Sequence, residues 1–203
     1  MKLHIAPSPN ALRVEVFMQE KGIEPFVSQT YDLRAGDNLS AEFRQMNPFG
    51  RVPVLELDDG TFLAESVAIC RYLEGLHPEP ALFGSTPLEL AQVEMWNRRA
   101  ELNFMLPAAS SFRNLSGVFK DREKICEEWG LISAEVAAAA LAVFDEHLAS
   151  STFLAGDVFS VADITFAIAV NFAERVQVDL PYDLSNIARY RQTIAARPSF
   201  ATG

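Results

Sequence analysis

The sequence predicts two parts, an α/β domain built on a small mixed sheet and a following all-helical domain. Strand and helix patterns alternate over residues 1–77, whereas the apolar spacing from residue 87 onward is helical. Between the two parts lies LHPEPALFGSTP, in which three prolines and a glycine interrupt the periodic sequence. We therefore interpret residues 78–86 as a linker and residues 87–203 as a helical bundle.

The first part shows a strand, a helix, a second strand, and then a hairpin followed by a helix. Apolar side chains recur at helical spacing over residues 10–21, and Gly22 follows as a stop signal. Asp59-Gly60 is typical of a tight hairpin turn. A strand–helix–strand unit implies a parallel pair, and a hairpin adds two antiparallel strands, which predicts a mixed four-stranded sheet. The predicted strands are 3–6, 26–33, 52–57 and 61–63, and the predicted helices are 10–21, 65–75 and a short turn at 41–46.

The second part carries almost no strand signal. Pro87 suits the first turn of a helix that extends to residue 106, where Pro107 is expected to kink or end it. Ser160 and Asp163 have the spacing of a capping box at the start of a buried apolar helix, and we assign Asp163 to stability rather than catalysis. The further predicted helices are 121–129, 133–148, 161–176 and 184–196.

Composition excludes several classes of function. With 49% apolar residues in 203, the chain can bury a full core. The 17 Lys and Arg against 27 Asp and Glu give a net charge of −10, which argues against nucleic acid or an anionic membrane as a partner. Two cysteines are too few for a disulfide scaffold, so a reducing, cytoplasmic setting is expected. The three histidines are scattered and predict no metal site.

Val52-Pro53 opens a predicted strand. Proline cannot donate to a sheet ladder, and only Xaa-Pro bonds have an appreciable cis population. If the bond is cis, the Val52 N–H and C=O are free to pair with an extended peptide ligand, a form of strand addition. An ordinary trans proline at the start of a strand is the alternative, and composition alone favours it.

Glu65-Ser66 begins the last predicted helix of the first part. The N–H groups at a helix start are unsatisfied and the helix dipole is positive there, so a ligand carboxylate fits. Ser66 could add a hydroxyl donor, and Glu65 could receive an ammonium group. The alternative is a capping serine with a first-turn acid.

Ser8-Pro9-Asn10 lies where the first strand gives way to the first helix. In open α/β sheets ligands collect beyond the carboxyl end of a strand. A hydroxyl or amide donor here could stabilise a thiolate, and each unit by which a thiol pKa falls corresponds to about 1.4 kcal/mol. The alternative is a serine that caps the helix, with Pro9 in its first turn.

Together these features resemble one known family. Residues 47–74, NPFGRVPVLELDDGTFLAESVAICRYLE, look like the glutathione-binding half of a cytosolic glutathione S-transferase, with the Val-Pro and Glu-Ser pairs where that family has them. The chain length, the linker and the helical second part agree with the resemblance over the whole sequence. It implies a thioredoxin-like first domain with a cis bond before Pro53, and a glutathione tripeptide that lies along Val52.

The resemblance also implies which residues hold glutathione. Val52 would pair its backbone with the cysteinyl part, while Glu65 and Ser66 would hold the γ-glutamyl end. Asn38 and Arg51 are the candidates for the glycyl carboxylate, because amide and guanidinium donors suit it.

The opening APSPN resembles bacterial members in which a threonine or serine, then a proline and an asparagine, lie beside the thiol. Ser8 and Asn10 are therefore the candidate catalytic residues, in the role of stabilising the thiolate. The loop contains no tyrosine or cysteine, which excludes the tyrosine-type and cysteine-type subfamilies as close models.

The function implied by the resemblance is that of a glutathione transferase. Such an enzyme binds reduced glutathione as a co-substrate, stabilises its thiolate and transfers it to a small electrophile, with no metal. A cytoplasmic homodimer with a detoxifying role is implied with it. Two alternatives remain open, namely glutathione-dependent disulfide reduction and a non-catalytic interaction module of the same fold.

Overall fold

The computed structural model describes residues 1–178 and 184–201. The chain divides into two compact units, Met1–Pro80 and Ala81–Gly203. None of the helices within the described ranges is long and apolar enough to cross a membrane.

The first unit contains a mixed four-stranded sheet, as predicted. The strand order is β2-β1-β3-β4, in which β1 is parallel to β2 and antiparallel to β3, and β3 and β4 form the hairpin. The hairpin turn is closed by the Gly60 N–H, which donates to the carbonyl of Leu57 at 3.0 Å. β3 begins after Pro53 rather than before it, because proline has no N–H to contribute to the ladder. The strands are β1 (Lys2–Ile5), β2 (Val27–Thr30), β3 (Val54–Glu56) and β4 (Phe62–Ala64).

Three helices cover this sheet. α1 packs against α3, and both bury an apolar face. Phe43 of α2 lies in a separate apolar cluster with Ala6, Val52 and Val54, so the short helix is held against the start of β3. The predicted positions are confirmed to within a few residues: α1 (Pro9–Glu20), α2 (Ala41–Met46) and α3 (Ser66–Leu76).

Among its described residues the second unit consists of helices joined by loops, with one isolated β-bridge between Phe153 and Gly156. α7 is buried almost all round, as its apolar sequence predicts, and Phe166 stacks on Phe144 of α6 with ring centroids 4.3 Å apart. The helices are α4 (Pro87–Ala100), α5 (Leu106–Ser116), α6 (Glu127–Leu148), α7 (Val161–Arg175) and α8 (Ser185–Ala195).

The predicted capping box at the start of α7 is present. Asp163 Oδ2 accepts from the N–H and the hydroxyl of Ser160 at 2.9 and 3.0 Å, and Oδ1 accepts from the N–H of Leu154 at 2.9 Å. The hydroxyl of Tyr190 in α8 donates to the same carboxylate at 3.2 Å. Asp163 thus connects α7 both to the preceding loop and to α8.

Of the two outcomes expected at Pro107, a kink in the helix or its end, the second is not observed. Pro107 does not end the helical run, because a π-helical segment at Glu101–Met105 precedes α5, and the Leu106 N–H bonds back to the carbonyl of Glu101. This wider turn accommodates the proline within the first turn of α5.

The helix predicted at 121–129 is wrong over its first six residues, because residues 121–126 are not helical and α6 begins only at Glu127. Asn114 Oδ1 accepts from the Cys126 N–H at 2.8 Å and so positions the start of α6. Arg113 forms an ion pair with Glu123 and also lies over the ring of Phe119. Side-chain contacts of this kind stabilise a turn, and they leave no signal in the apolar periodicity.

Candidate functional site

The register of the sheet brings the three predicted motifs to one end of the first unit. Val54 pairs with His4 in β1 and with Ala64 in β4, both in antiparallel register. Beyond these pairs Ala6 follows the end of β1, Val52 precedes β3 and Ser66 follows β4, so the three residues leave the sheet at the same edge. Ala6 and Val52 indeed share an apolar cluster, and Ser8 follows Ala6 by two residues.

Val52 presents an unused backbone at this end of the sheet. The peptide bond between Val52 and Pro53 is cis, as the resemblance implies and against the trans bond that composition favours. The side chain of Val52 is buried, whereas within the described residues its N–H and C=O have no hydrogen-bond partner. An extended peptide could therefore pair with Val52 as an added strand.

Asn47 braces the turn that precedes Val52. Its side chain is buried, its Nδ2 donates to the carbonyl of Arg51 at 2.8 Å, and its Oδ1 accepts from the Phe49 N–H at 3.1 Å. We did not predict this residue from the sequence. The available signal was an asparagine directly before Pro48, a combination that favours a turn stabilised by the side chain.

Glu65 and Ser66 form an uncapped helix start. Glu65 is exposed, has φ +68° and ψ 114°, and makes no side-chain cap, so the first N–H groups of α3 are open to a ligand. A positive φ is strained for a glutamate, and such strain persists at ligand sites. Ser66 is buried, with 5% of its surface exposed.

Arg13 is a site residue that sequence reasoning missed. It lies on the buried face of α1, is 1% exposed, and donates from Nη1 to Ser66 Oγ at 2.7 Å. The signal was a charged side chain within an apolar helical face, between Ala11 and Val14. A buried guanidinium requires hydrogen-bond acceptors, and here one acceptor belongs to the predicted site.

Ser8 caps α1, which is the alternative role considered for it. Its Oγ accepts from the Ala11 N–H at 3.3 Å, and Pro9 occupies the first turn. A hydroxyl that accepts in this way still has its own proton to donate, so capping does not prevent a contact with an anion. Asn10 is exposed, and within the described residues its side chain makes no hydrogen bond.

The two candidates for binding the glycyl carboxylate differ in whether their donor groups are already hydrogen-bonded. Asn38 Nδ2 donates to the carbonyl of Gly50 at 2.5 Å, while its buried Oδ1 has no partner in the described part of the chain. Arg51 is exposed, and no contact of its guanidinium is found among those same residues. Arg51 can therefore reach an anion, whereas Asn38 already uses its amide donor inside the loop.

Two other reactive side chains of the first unit, Tyr31 and Cys70, have raised pKa values. The hydroxyl of Tyr31 lies 2.8 Å from His4 Nδ1, and burial together with the charge of Glu56 raises the pKa of Tyr31. Burial raises the pKa of Cys70 to about 12, so its thiol stays protonated. Among the described residues no cluster of three His, Cys, Asp or Glu side chains could hold a metal ion.

Family models match both units. The model described as "Glutathione S-transferase, N-terminal domain" matches residues 7–76, and the one described as "Glutathione S-transferase, C-terminal domain" matches residues 127–198. The first range lies within the unit Met1–Pro80 and the second within the unit Ala81–Gly203.

Several relatives extend over nearly the whole chain. A glutathione S-transferase domain-containing protein of Marinobacter aquaeolei VT8 is 41% identical, with a TM-score of 0.95 over 98% of this chain and 100% of that one. Glutathione S-transferase 2 of Saccharomyces cerevisiae is 34% identical over 94% of this chain and 83% of its own length. Elongation factor 1-gamma 2 of Oryza sativa is 29% identical over 94% of this chain, which spans 45% of that longer protein.

Proposed function

The chain belongs to the glutathione S-transferase family, and from that premise we propose that it is a glutathione transferase. It binds reduced glutathione, holds the thiol ionised near neutral pH and joins the glutathione sulfur to a small electrophile. The thiolate attacks the electrophilic carbon, a C–S bond forms, and the leaving group departs with its electron pair. No metal takes part in this reaction.

One observation carries this proposal, namely that an unpaired backbone segment and an uncapped helix start meet at the same end of the sheet. Val52 offers an N–H and a C=O for the cysteinyl residue of the tripeptide. The start of α3 offers open N–H groups and a positive dipole end for the γ-glutamyl carboxylate. The exposed carboxylate of Glu65 is suited to receive the ammonium group of the same residue.

Ser8 and Asn10 act as the donors for the thiolate in this proposal. A hydrogen bond to the ionised form of an acid lowers its pKa, and the Ser8 hydroxyl and the Asn10 amide are the donors that the loop supplies. Arg51 is the stronger candidate for the glycyl carboxylate, because a direct contact from Asn38 requires its amide to leave the carbonyl of Gly50.

We also propose that the protein works as a homodimer in the cytoplasm. The ring of Phe49 is 79% exposed on the loop between α2 and β3, and it offers an apolar contact to a second copy. Sedimentation velocity at micromolar concentration tests the oligomeric state, and a monomer would contradict this part of the proposal.

Two other functions use the same site or the same fold. Glutathione-dependent disulfide reduction differs only in the substrate that the thiolate attacks, which is then a sulfur instead of a carbon. An interaction module without turnover is favoured by the similarity to proteins named elongation factor 1-gamma. The unpaired Val52 backbone and the strained Glu65 argue for a retained ligand site, because neither feature serves a purely structural module.

Calorimetry with reduced glutathione, followed by activity assays, tests the proposal. We expect heat of binding at millimolar glutathione or below, and turnover of at least one substrate in a panel of an aryl halide, an organic peroxide and a small mixed disulfide. Turnover of the disulfide alone would favour the reductase. Absence of heat at several millimolar ligand would favour the interaction module.

A further inference from the structure

Arg13 connects two helices at the candidate site through a buried hydrogen bond. The guanidinium lies between the apolar residues of α1 and donates from Nη1 to Oγ of Ser66, the first residue of α3, at 2.7 Å. Burying a cation costs free energy unless its donors are hydrogen-bonded. The hydrogen bond to Ser66 offsets part of that cost for Arg13.

This hydrogen bond determines what the Ser66 hydroxyl can do. A guanidinium has donors and no acceptor, so Ser66 Oγ must be the accepting atom. The proton of Ser66 is then left for another partner, and within the described residues no acceptor receives it. A hydroxyl that accepts from a cation is also polarised, which strengthens its own donation.

The hydroxyl proton of Ser66 lies at the same helix end as the open N–H groups of α3. Glu65 supplies no side-chain cap, so the first-turn N–H groups and the Ser66 hydroxyl are donors at the same helix end. Such a combination is suited to an oxygen anion with two acceptor atoms, which is a carboxylate.

We infer that Arg13 is a positioning residue for the γ-glutamyl carboxylate of glutathione. By occupying the acceptor side of Ser66 Oγ, Arg13 directs the serine proton towards the anion at the start of α3. Arg13 acts through Ser66 and does not contact the ligand in this role. The inference rests on the proposed function, because it requires glutathione to bind there.

The test compares Arg13→Met and Ser66→Ala, singly and combined, by calorimetry with reduced glutathione. Methionine keeps much of the length of the side chain and introduces no new polar group. Ser66→Ala loses the serine's hydrogen bond to the charged ligand, and Arg13→Met loses the contact that orients it, so the Kd of each single variant is expected to rise about tenfold or more. The double variant is expected to match the singles, because Arg13 acts only through Ser66.

Kinetics with 1-chloro-2,4-dinitrobenzene supply a readout that a structural role would not produce. Arg13→Met is expected to raise the KM for glutathione about tenfold and to change kcat at saturating glutathione by less than about twofold. With the analogue 4-aminobutyryl-cysteinylglycine, which lacks only the γ-glutamyl carboxylate, wild type and Arg13→Met are expected to have equal affinity. Arg13→Lys, which retains the charge and one donor, is expected to recover most of the affinity for glutathione.

Lys21→Met is the matched control. Lys21 is also a buried cation on the same helical segment, but it forms an ion pair with Glu74, at the far end of α3 from Ser66. Its replacement is expected to lower the melting temperature and to leave the Kd for glutathione unchanged.

Two outcomes overturn the inference alone. One is a folded Arg13→Met protein whose Kd for glutathione is within twofold of wild type, and the other is additive losses in the double variant. If Arg13→Met does not fold, Arg13→Lys decides. A tenfold higher Kd despite the retained charge and donor, or any loss that persists in the Ser66→Ala background, would contradict the mechanism. Failure of the wild type to bind glutathione overturns the proposed function and this inference together.

Discussion

The carbonyl oxygen of Asn38 lies 2.8 Å from the position that a β-carbon on Gly50 would occupy. The side-chain amide of the same asparagine donates to the carbonyl of Gly50 at 2.5 Å. Gly50 also has a positive φ of 60°, so two independent constraints require glycine there. This contact sets the path of the loop that leads into Arg51 and Val52.

Gly50→Ala is therefore expected to destabilise the first unit and weaken the site. Its β-carbon meets backbone rather than a flexible side chain, so the loop must shift, and the positive φ adds about 1 kcal/mol or more. We expect a loss of about 2 to 4 kcal/mol in the free energy of unfolding, together with a higher Kd for glutathione. Gly60→Ala is the control, because it also has a positive φ but no atom within 4 Å of the added carbon.

Ser8 and Asn10 are expected to matter for turnover more than for folding. Asn10→Ala removes an exposed side chain, so its stability should be near that of wild type, while kcat for the aryl halide falls about tenfold or more. Ser8→Ala also loses the helix cap, at a cost of about 1 kcal/mol. Titration of glutathione thiolate absorbance near 240 nm in the complex provides the direct measurement. Unchanged rates in both variants and in the double variant would remove this loop from the mechanism.

Glu65 should show opposite effects on stability and on binding. Glycine tolerates φ +68° without a steric penalty, so Glu65→Gly is expected to raise the free energy of unfolding by about 1 kcal/mol while glutathione affinity falls. Glu65→Ala is the matched control, because it removes the same carboxylate and keeps the strained backbone. Both variants should lose affinity, and only the glycine variant should gain stability. A glycine variant less stable than the alanine variant would contradict the strain argument.

Asp163 should make stability depend on pH in a definite direction. Burial raises the pKa of Asp163 from an ordinary value near 3.8 to about 6, against the opposing effect of its hydrogen bonds. Between these values the folded state binds the proton more tightly than the unfolded state does, so this residue's contribution is full below pH 4 and is lost as the pH rises through 6. The loss amounts to about 3 kcal/mol.

The comparison uses chemical denaturation of wild type and Asp163→Asn between pH 4 and 7. Asparagine does not titrate, and its NH₂ group must face the N–H of either Leu154 or Ser160, so the variant should be less stable at every pH. The advantage of wild type should shrink as the pH rises. An advantage that grows with pH would show that the carboxylate is ionised throughout, and would contradict the raised pKa.

The two cysteines should differ sharply towards a thiol reagent. Cys126 is exposed, whereas Cys70 is buried and has a pKa raised to about 12. One thiol per chain should react with 5,5′-dithiobis(2-nitrobenzoic acid) in the native protein, and two should react in denaturant. Cys126→Ser should abolish the native reaction, whereas Cys70→Ser should leave it unchanged.

Much of the fold of the first unit could be predicted because its signals are local. Asp59-Gly60 specifies a hairpin turn through its own backbone preferences, and the helical spacing of apolar residues after Asn10 needs no knowledge of distant contacts. The resemblance to a family supplied the cis bond before Pro53, which composition did not favour. The helix at 121–129 was predicted wrongly, because ion pairs and a side chain of α5 decide that segment.

Periodicity, turn chemistry and charge in the sequence predicted the order of strands and helices in the first unit, the residues of the three motifs and the net negative charge. Three contacts became known from the folded structure: Ala6 packs with Val52, the side-chain amide of Asn38 donates to the carbonyl of Gly50, and Arg13 donates to Ser66. The physical reason is that hydrogen bonds between residues far apart in the chain depend on sheet register and helix packing. Neither leaves a trace in local sequence preferences.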